Sequence, residues 1–460
     1  MGLVIERVEW EPDSRTFFLL FCSCFSSIFL FPYLSKKSTV VVATNARAAH
    51  SSLLEFGSTT SFLSFQRSFL FIYSLASVIG GLQTVFGEDE YQHYGASREQ
   101  MVLCLCAGIA ATLSIGSFLG VLSDIFGPRK ACITYCILHL FVDALRSISA
   151  HPIIWMSSVC LALASFIFLF SFETWMTTEH ERQGHRQDLL TDTFWLMIFF
   201  ESASLIGSQA LANLLVTDLE KGFFLPSAPA ALLSLTSILC IRKMWNGHKH
   251  FASFRDYGNS FCMNILRDKR IWLLAGAQGC LHFSVSIFWI LWAPTIVADG
   301  RDVNLSLIYP CFLGSRMLGS TTFPWLSGAG SSNIHNEDYL SFAFAIAGLS
   351  LTLVAYDYQE IGVLVVLFCV FHACCGLIFP SLARLRTAYV PNELRGGMMS
   401  LSFAPANAII LLVVVQGGYY RNLSNAWIIA FSALGLFIAA GFIQMLKCWR
   451  KHPHPNWRKL

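Results

Sequence analysis

Apolar stretches of about 20 residues recur along this chain from residue 66 to residue 446, separated by short polar turns. That length matches the roughly 30 Å hydrocarbon core of a bilayer. Within such a core each backbone amide and carbonyl must find an internal partner, so only helices or closed barrels can cross it. Stretches this continuous select helices. They lie near 66–87, 101–122, 131–149, 153–175, 191–217, 224–242, 271–298, 304–327, 339–356, 361–383, 396–418 and 424–446. One more apolar segment, 16–34, precedes them. Its leader, "MGLVIERVEWEPDSR", is acidic where a secretory signal is basic, so it reads as an uncleaved helix. Only 13% of residues are charged, against about 25% in soluble domains. The expected fold is an all-α integral membrane protein of two six-helix bundles, with an extra N-terminal helix.

Basic residues orient these helices, because cytoplasmic loops collect Lys and Arg. With the 35–65 loop inside, the inner segments hold Lys36, Lys37, Arg129, Lys130, Arg182, Arg384, Arg386 and Arg395, and a basic stretch from Arg242 to Arg270. The outer turns keep few cations, and "GEDEYQHYG" (87–95) falls outside. The chain then divides into an N-terminal segment and loop (1–65), a first bundle (66–242), a basic cytoplasmic linker (243–270), a second bundle (271–446) and a basic tail (447–460). Paired bundles of this kind are built by many secondary transporters, whose substrate site lies near the bilayer midplane between the halves.

No stretch is long enough for a separate catalytic domain, and no phosphate loop, nucleophile triad or redox motif occurs. Enzymatic activity, a cofactor and nucleic-acid binding are not expected. The 15 cysteines are scattered through apolar runs without zinc spacing. "FETWMTTEHERQGHRQD" (172–188) raises the question of a metal, but His180 and His185 have no third convergent ligand. The stretch reads as the end of one helix and a solvated inner loop, with Glu179 and His180 in a charge network. Glu173 differs: it falls inside the helix end, where a carboxylate is costly and faces the bundle interior.

"GSFLGVLSDIFGPRKA" (116–131) joins the second and third core segments. Gly120 and Gly127 permit close helix approach and a tight turn. Asp124 can cap a helix start or pair with a cation, and Arg129 and Lys130 anchor the inner face. The spacing Gly-x-x-x-Asp-x-x-Gly-x-Arg-Lys resembles the loop signature of the major facilitator superfamily. "SFETWMTTEHERQGH" (171–185), "RKACITYCI" (129–137), "LRDKRIWLLAGAQ" (266–278), "LWAPT" (291–295) and "CGLIFPSLARLR" (375–386) resemble the molybdate-anion transporter branch of that superfamily. The resemblance runs from about residue 66 to 445 and implies a membrane transporter whose cargo class is the molybdate oxyanion. Several embedded charges of that branch are replaced here: Gly80-Gly81 stands for an Asp, Ser158 for an Arg, His282 for a carboxylate and Ala404 for an Arg.

Carrying an oxyanion requires cations or amide donors in mid-membrane, since an unpaired dianion in hydrocarbon is very costly. Arg316, in "LGSRMLGS", is the leading candidate, because its planar fork suits tetrahedral oxyanions. Its other reading is a structural ion pair with a carboxylate such as Glu201. His282 and His372 lie within helices and can attract anions or carry a proton. Glu201 and Gln209, eight residues apart, share a helix face. Gln278 and Asn407 offer neutral donors, while Arg384 and Arg386 read as snorkelling anchors. The expected function is alternating-access transport of molybdate or a related oxyanion, with a coupling proton and the lipid bilayer as further partners. The alternatives are a proton-coupled carrier of a small organic solute and a non-transporting sensor or scaffold. The plasma membrane is the expected location, with an internal membrane the alternative.

Overall fold

A computed structural model describes residues 26, 52–84, 97–146, 151–184, 187–217, 227–244, 253–297, 303–327, 335–356, 360–420 and 422–450. The 16–34 segment, apart from Ser26, the 87–95 turn, His185 and the tail beyond residue 450 lie outside these residues. The first six core helices are α1 (Ser52–Thr84), α2 (Arg98–Phe126), α3 (Pro128–Arg146), α4 (His151–Arg182), α5 (Gln187–Thr217) and α6 (Ser227–Lys243). A short helix, α7 (Phe254–Phe261), stands within the linker. Six more follow: α8 (Lys269–Ile296), α9 (Leu305–Ser327), α10 (Asn336–Ala355), α11 (Ile361–Tyr389), α12 (Asn392–Tyr419) and α13 (Asn425–Arg450). Among the described residues, 9 of these helices are long and apolar enough to cross a membrane by length and composition.

Two helices run further than hydropathy alone indicates. α1 starts at Ser52, inside what reads as a loop, and α4 continues to Arg182 instead of ending near residue 175. The added turns are polar, so an apolar window stops short of them. At the end of α4, Glu179 and His180 are nonetheless buried.

The packing repeats itself. In the first half α1 lies against α5 and α6, α2 against α4, and α3 against α4 and α6. In the second half α8 lies against α12 and α13, α9 against α11, and α10 against α11 and α13. Each pair of the first set has its counterpart in the second, as expected of parallel repeats related by an axis along the membrane normal. The seams between the halves obey the same relation: α2 packs on α12, and α9 packs on α5. Below, "inner" denotes the end of the α2–α3 and α4–α5 turns.

The cores are aromatic. Phe69, Phe170, Phe172 and Trp175 are buried together in the first half, and Phe312, Phe368 and Phe371 in the second. Small residues set the closest approaches. A Cβ on Gly376 of α11 would lie 2.1 Å from the Arg316 carbonyl oxygen of α9. Backbone cannot yield as a side-chain tip does, so Gly376→Ala is expected to destabilise by at least about 1–3 kcal/mol. A lowered melting temperature of the detergent-purified variant checks this.

Candidate functional site

Near the middle of α5 and α9 three helices converge. Arg316 on α9 donates from Nη2 to Glu201 Oε1 on α5 at 2.8 Å, and Tyr73 on α1 donates to Glu201 Oε2 at 2.6 Å. The Arg316 guanidinium also lies 5.0 Å from the ring centroid of Phe379 on α11. Arg316 therefore ties the halves together through the carboxylate named as its structural partner. Gln209 follows Glu201 by about two helical turns on the same face and donates to the Ser306 carbonyl at the start of α9, 2.9 Å away. Both polar residues of α5 face the α9 seam.

Behind this layer His282 of α8 and Asn407 of α12 meet at 2.9 Å, His282 Nε2 to Asn407 Oδ1. The imidazole sits against Phe403, with ring centroids 4.5 Å apart. Sequence reasoning named both residues without pairing them. His372 is enclosed by Phe288, Trp289, Phe312 and Phe371. Neither of its ring nitrogens has a protein hydrogen-bond partner.

Toward the inner end, Glu173 of α4 meets Arg386 of α11 through two bonds, 2.8 Å from Nε and 2.5 Å from Nη2. Arg395, at the start of α12, adds a third at 3.2 Å from Nη1. Arg386 donates in turn to Gln278 Oε1 of α8 at 3.1 Å. Arg386 is thus buried in an ion pair between the halves, not snorkelling to an aqueous face. Position near a helix end misled the sequence reading. The usable signal was Glu173 itself, a buried carboxylate that requires a cation. Arg395, fully buried, went unnoticed as a site residue for the same reason.

One layer further in, Asp124 at the end of α2 accepts from the backbone amides of Gly396 at 3.0 Å and Gly397 at 2.7 Å. It thereby caps the start of α12 in the opposite half, where the helix dipole favours an anion. Tyr257 of the linker helix α7 donates to the same carboxylate at 3.0 Å. Burial first, then the adjacent Asp124 charge, raises the Tyr257 phenol well above its ordinary value, so it remains a donor. Gly120 brings the seam together: a Cβ there would lie 2.2 Å from both the Gly396 oxygen and Ser400 Oγ. Gly127 has φ of 102° and turns the chain from α2 into α3.

At the inner rim, Glu179 accepts from Arg129, Arg182 and Gln183. Arg129 also donates to the Met244 carbonyl at 2.6 Å, and Lys130 lies over the Phe126 ring at 5.7 Å. His180 is not in a solvated loop: it is a helical residue, 3% exposed, edge-on to Phe62. Among the described residues no group of three or more His, Cys, Asp or Glu is placed to hold a metal ion.

These layers share a chemical bias. Arg316 Nε, Gln278 Nε2, Arg395 Nε and Nη2, and Asn407 Nδ2 are buried N–H donors with no protein hydrogen-bond partner. Arg316 and Arg395 pair across the halves, Gln278 joins them through Arg386, and Asn407 pairs with His282 of the same half. Against these donors, Gln209 Oε1 on the α5–α9 seam is a buried acceptor without a protein partner. Buried donors ordinarily find acceptors, and a surplus of this sign suits an anion.

Comparison with known proteins agrees with the architecture. A family described as sugar transporters with 12 transmembrane segments matches residues 33–365. The chain belongs to this major facilitator family of membrane transporters. A molybdate-anion transporter of Xenopus laevis is 27% identical over 375 residues, spanning 79% of this chain and 82% of the relative. One of Takifugu rubripes is 24% identical over 388 residues, spanning 76% and 79%. Among solved structures, a bacterial homologue of the iron transporter ferroportin in an outward-facing state superposes with a TM-score of 0.66 at 14% identity, over 83% of this chain and 99% of that one. The E. coli fucose:proton symporter gives 0.62 at 13%, over 84% and 99%. At such identities these likenesses concern the fold alone.

Proposed function

We propose that this protein is a secondary transporter carrying a small oxyanion, molybdate or a close relative of it, by alternating access. The surplus of buried N–H donors between the halves is the observation that carries this reading. A dianion leaving water needs cations and amide donors to replace its hydration, and Arg supplies a planar, permanently charged fork. Arg316 is the central binding group. Glu201 and Tyr73 hold its guanidinium in place, and Gln278, Asn407 and His282 supply neutral contacts. The molybdate-anion transporters of Xenopus and Takifugu support the same cargo.

The two bundles, 66–242 and 271–446, rock about the α2–α12 and α5–α9 seams, with 243–270 as the tether. Asp124, Gly120 and the Glu173 ion pair fasten the inner end in one state and part in the other. Arg129, Lys130, Glu179 and His180 stiffen the rim of the first bundle beside that fastening.

A second reading, a proton-coupled carrier of a small organic solute, is favoured by one observation. Trp289 and Trp292 of α8 stand 5.6 and 6.4 Å from Tyr309 of α9, ring centroid to ring centroid. Such a half-buried aromatic wall suits a carbon skeleton, and Glu201 would then carry the proton. Equilibrium binding to the purified protein separates the readings, with molybdate, sulfate and fucose as probes. The oxyanion reading expects saturable molybdate binding that sulfate displaces and fucose does not. Fucose binding without molybdate binding would favour the organic solute, and binding of no solute would favour a sensor or scaffold.

A further inference from the structure

The inner ion cluster is unbalanced across the two halves. Its acceptor, Glu173, comes from α4 of the first half. Its two donors both come from the second half, Arg386 of α11 and Arg395 of α12, and Gln278 of α8 accepts from Arg386 in turn. Two guanidinium groups therefore converge on a single carboxylate. Arg395 keeps Nε and Nη2 without protein partners while fully buried, and Gln278 keeps Nε2. Asp124 does not use these donors, since its oxygens accept from two backbone amides and Tyr257.

We infer that Glu173 occupies the seat of a travelling oxyanion, and that an oxyanion reaching the Gln278–Arg386–Arg395 cluster displaces it and thereby unfastens the inner end. This rests on the oxyanion transport reading. A carboxylate and a tetrahedral oxyanion present the same paired acceptor edge to an Arg fork. The oxyanion has four oxygens where the carboxylate has two, so it also reaches the donors that Glu173 leaves unused. A dianion matches two guanidinium charges; a single carboxylate matches one. Every group that would hold it belongs to the second half, so its arrival replaces a bridge between halves by a site within one half. The seat adjoins the central layer: Tyr73, which holds Glu201, packs its ring 5.5 Å from that of Phe172, the neighbour of Glu173. It forms a second station between Arg316 and the inner face.

The test uses the full-length protein in nanodiscs, with sodium molybdate as the probe and Arg316→Met with Glu201→Leu as a charge-neutral background that empties the central site. At the inner rim Asn392 donates to Glu181 across the halves at 2.7 Å. Glu181→Cys with Asn392→Cys, made with the exposed Cys262 and Cys448 changed to Ser, reports on closure by cross-linking. Residual molybdate binding is expected in the background, with cross-linking reduced when molybdate is present. Adding Glu173→Gln removes the competing charge and tightens binding about tenfold. Adding Gln278→Leu weakens it by a similar factor. Should Glu173→Gln fail to fold, Arg395→Lys keeps the charge, loses the fork, and is expected to weaken binding about tenfold. The inference is overturned if wild type binds molybdate but the folded Arg316→Met, Glu201→Leu background neither binds it nor changes its cross-linking. Wild type that binds no molybdate would instead overturn the transport reading on which the inference stands.

Discussion

Arg316→Ala is expected to lower the initial rate of molybdate uptake at least about a hundredfold. Two charge-assisted hydrogen bonds from the Arg fork to the anion are worth about 1.5–3 kcal/mol each, and each 1.4 kcal/mol is about a factor of ten. The substitution also leaves Glu201 facing Tyr73 with no cation, so a fall in folded protein would accompany it. A double variant separates the two effects. Arg316→Met with Glu201→Leu removes both charges at similar volume, a replacement that is often neutral for stability. It is expected to recover folded protein in the membrane while uptake stays lost. Recovery of uptake along with folding would show that Arg316 serves only to hold α9 against α5.

Gly120→Val acts at the other seam. Even its Cβ would fall 2.2 Å from the Gly396 carbonyl oxygen and from Ser400 Oγ. Backbone on one side and a packed helix on the other leave little room to yield, so α2 and α12 are held apart at the inner end. The clash lies between halves and not within one, so each half keeps its own core. The expected result is folded protein with uptake lowered at least about tenfold, an overpacking cost of about 1–3 kcal/mol acting on one conformational state. Cross-linking of the Glu181→Cys and Asn392→Cys pair in this variant should fall in parallel. Gly376→Ala, whose clash lies within the second half, should instead lose stability. Equal loss of folded protein in both variants would contradict this division.

Much of this architecture is legible in the sequence because the bilayer makes it so. Among the described residues, apolar length and composition mark 9 of the core helices. The loop signature likewise isolates Gly120, Asp124 and Gly127. What hydropathy misses are the polar inner turns of α1 and α4; in α4 the helix continues where Glu179 meets Arg129, Arg182 and Gln183. Partnerships are harder still to read. Glu173 and Arg386 are separated by 213 positions, and Asp124 and Gly397 by 273. Each pairing joins two halves whose own sequences give no register for the other. Arg386 resembles an anchoring residue until the opposite half supplies its carboxylate. The sequence does not mark the linker helix, because its key contact, Tyr257 to Asp124, is one side chain in a basic, loop-like run.

Molybdate uptake into proteoliposomes containing the wild-type protein tests the central claim most directly, with sulfate as competitor and an imposed pH gradient. The account predicts saturable uptake above that of empty vesicles, inhibited by sulfate. Uptake no greater than in empty vesicles, with folded protein confirmed in the membrane, would contradict it.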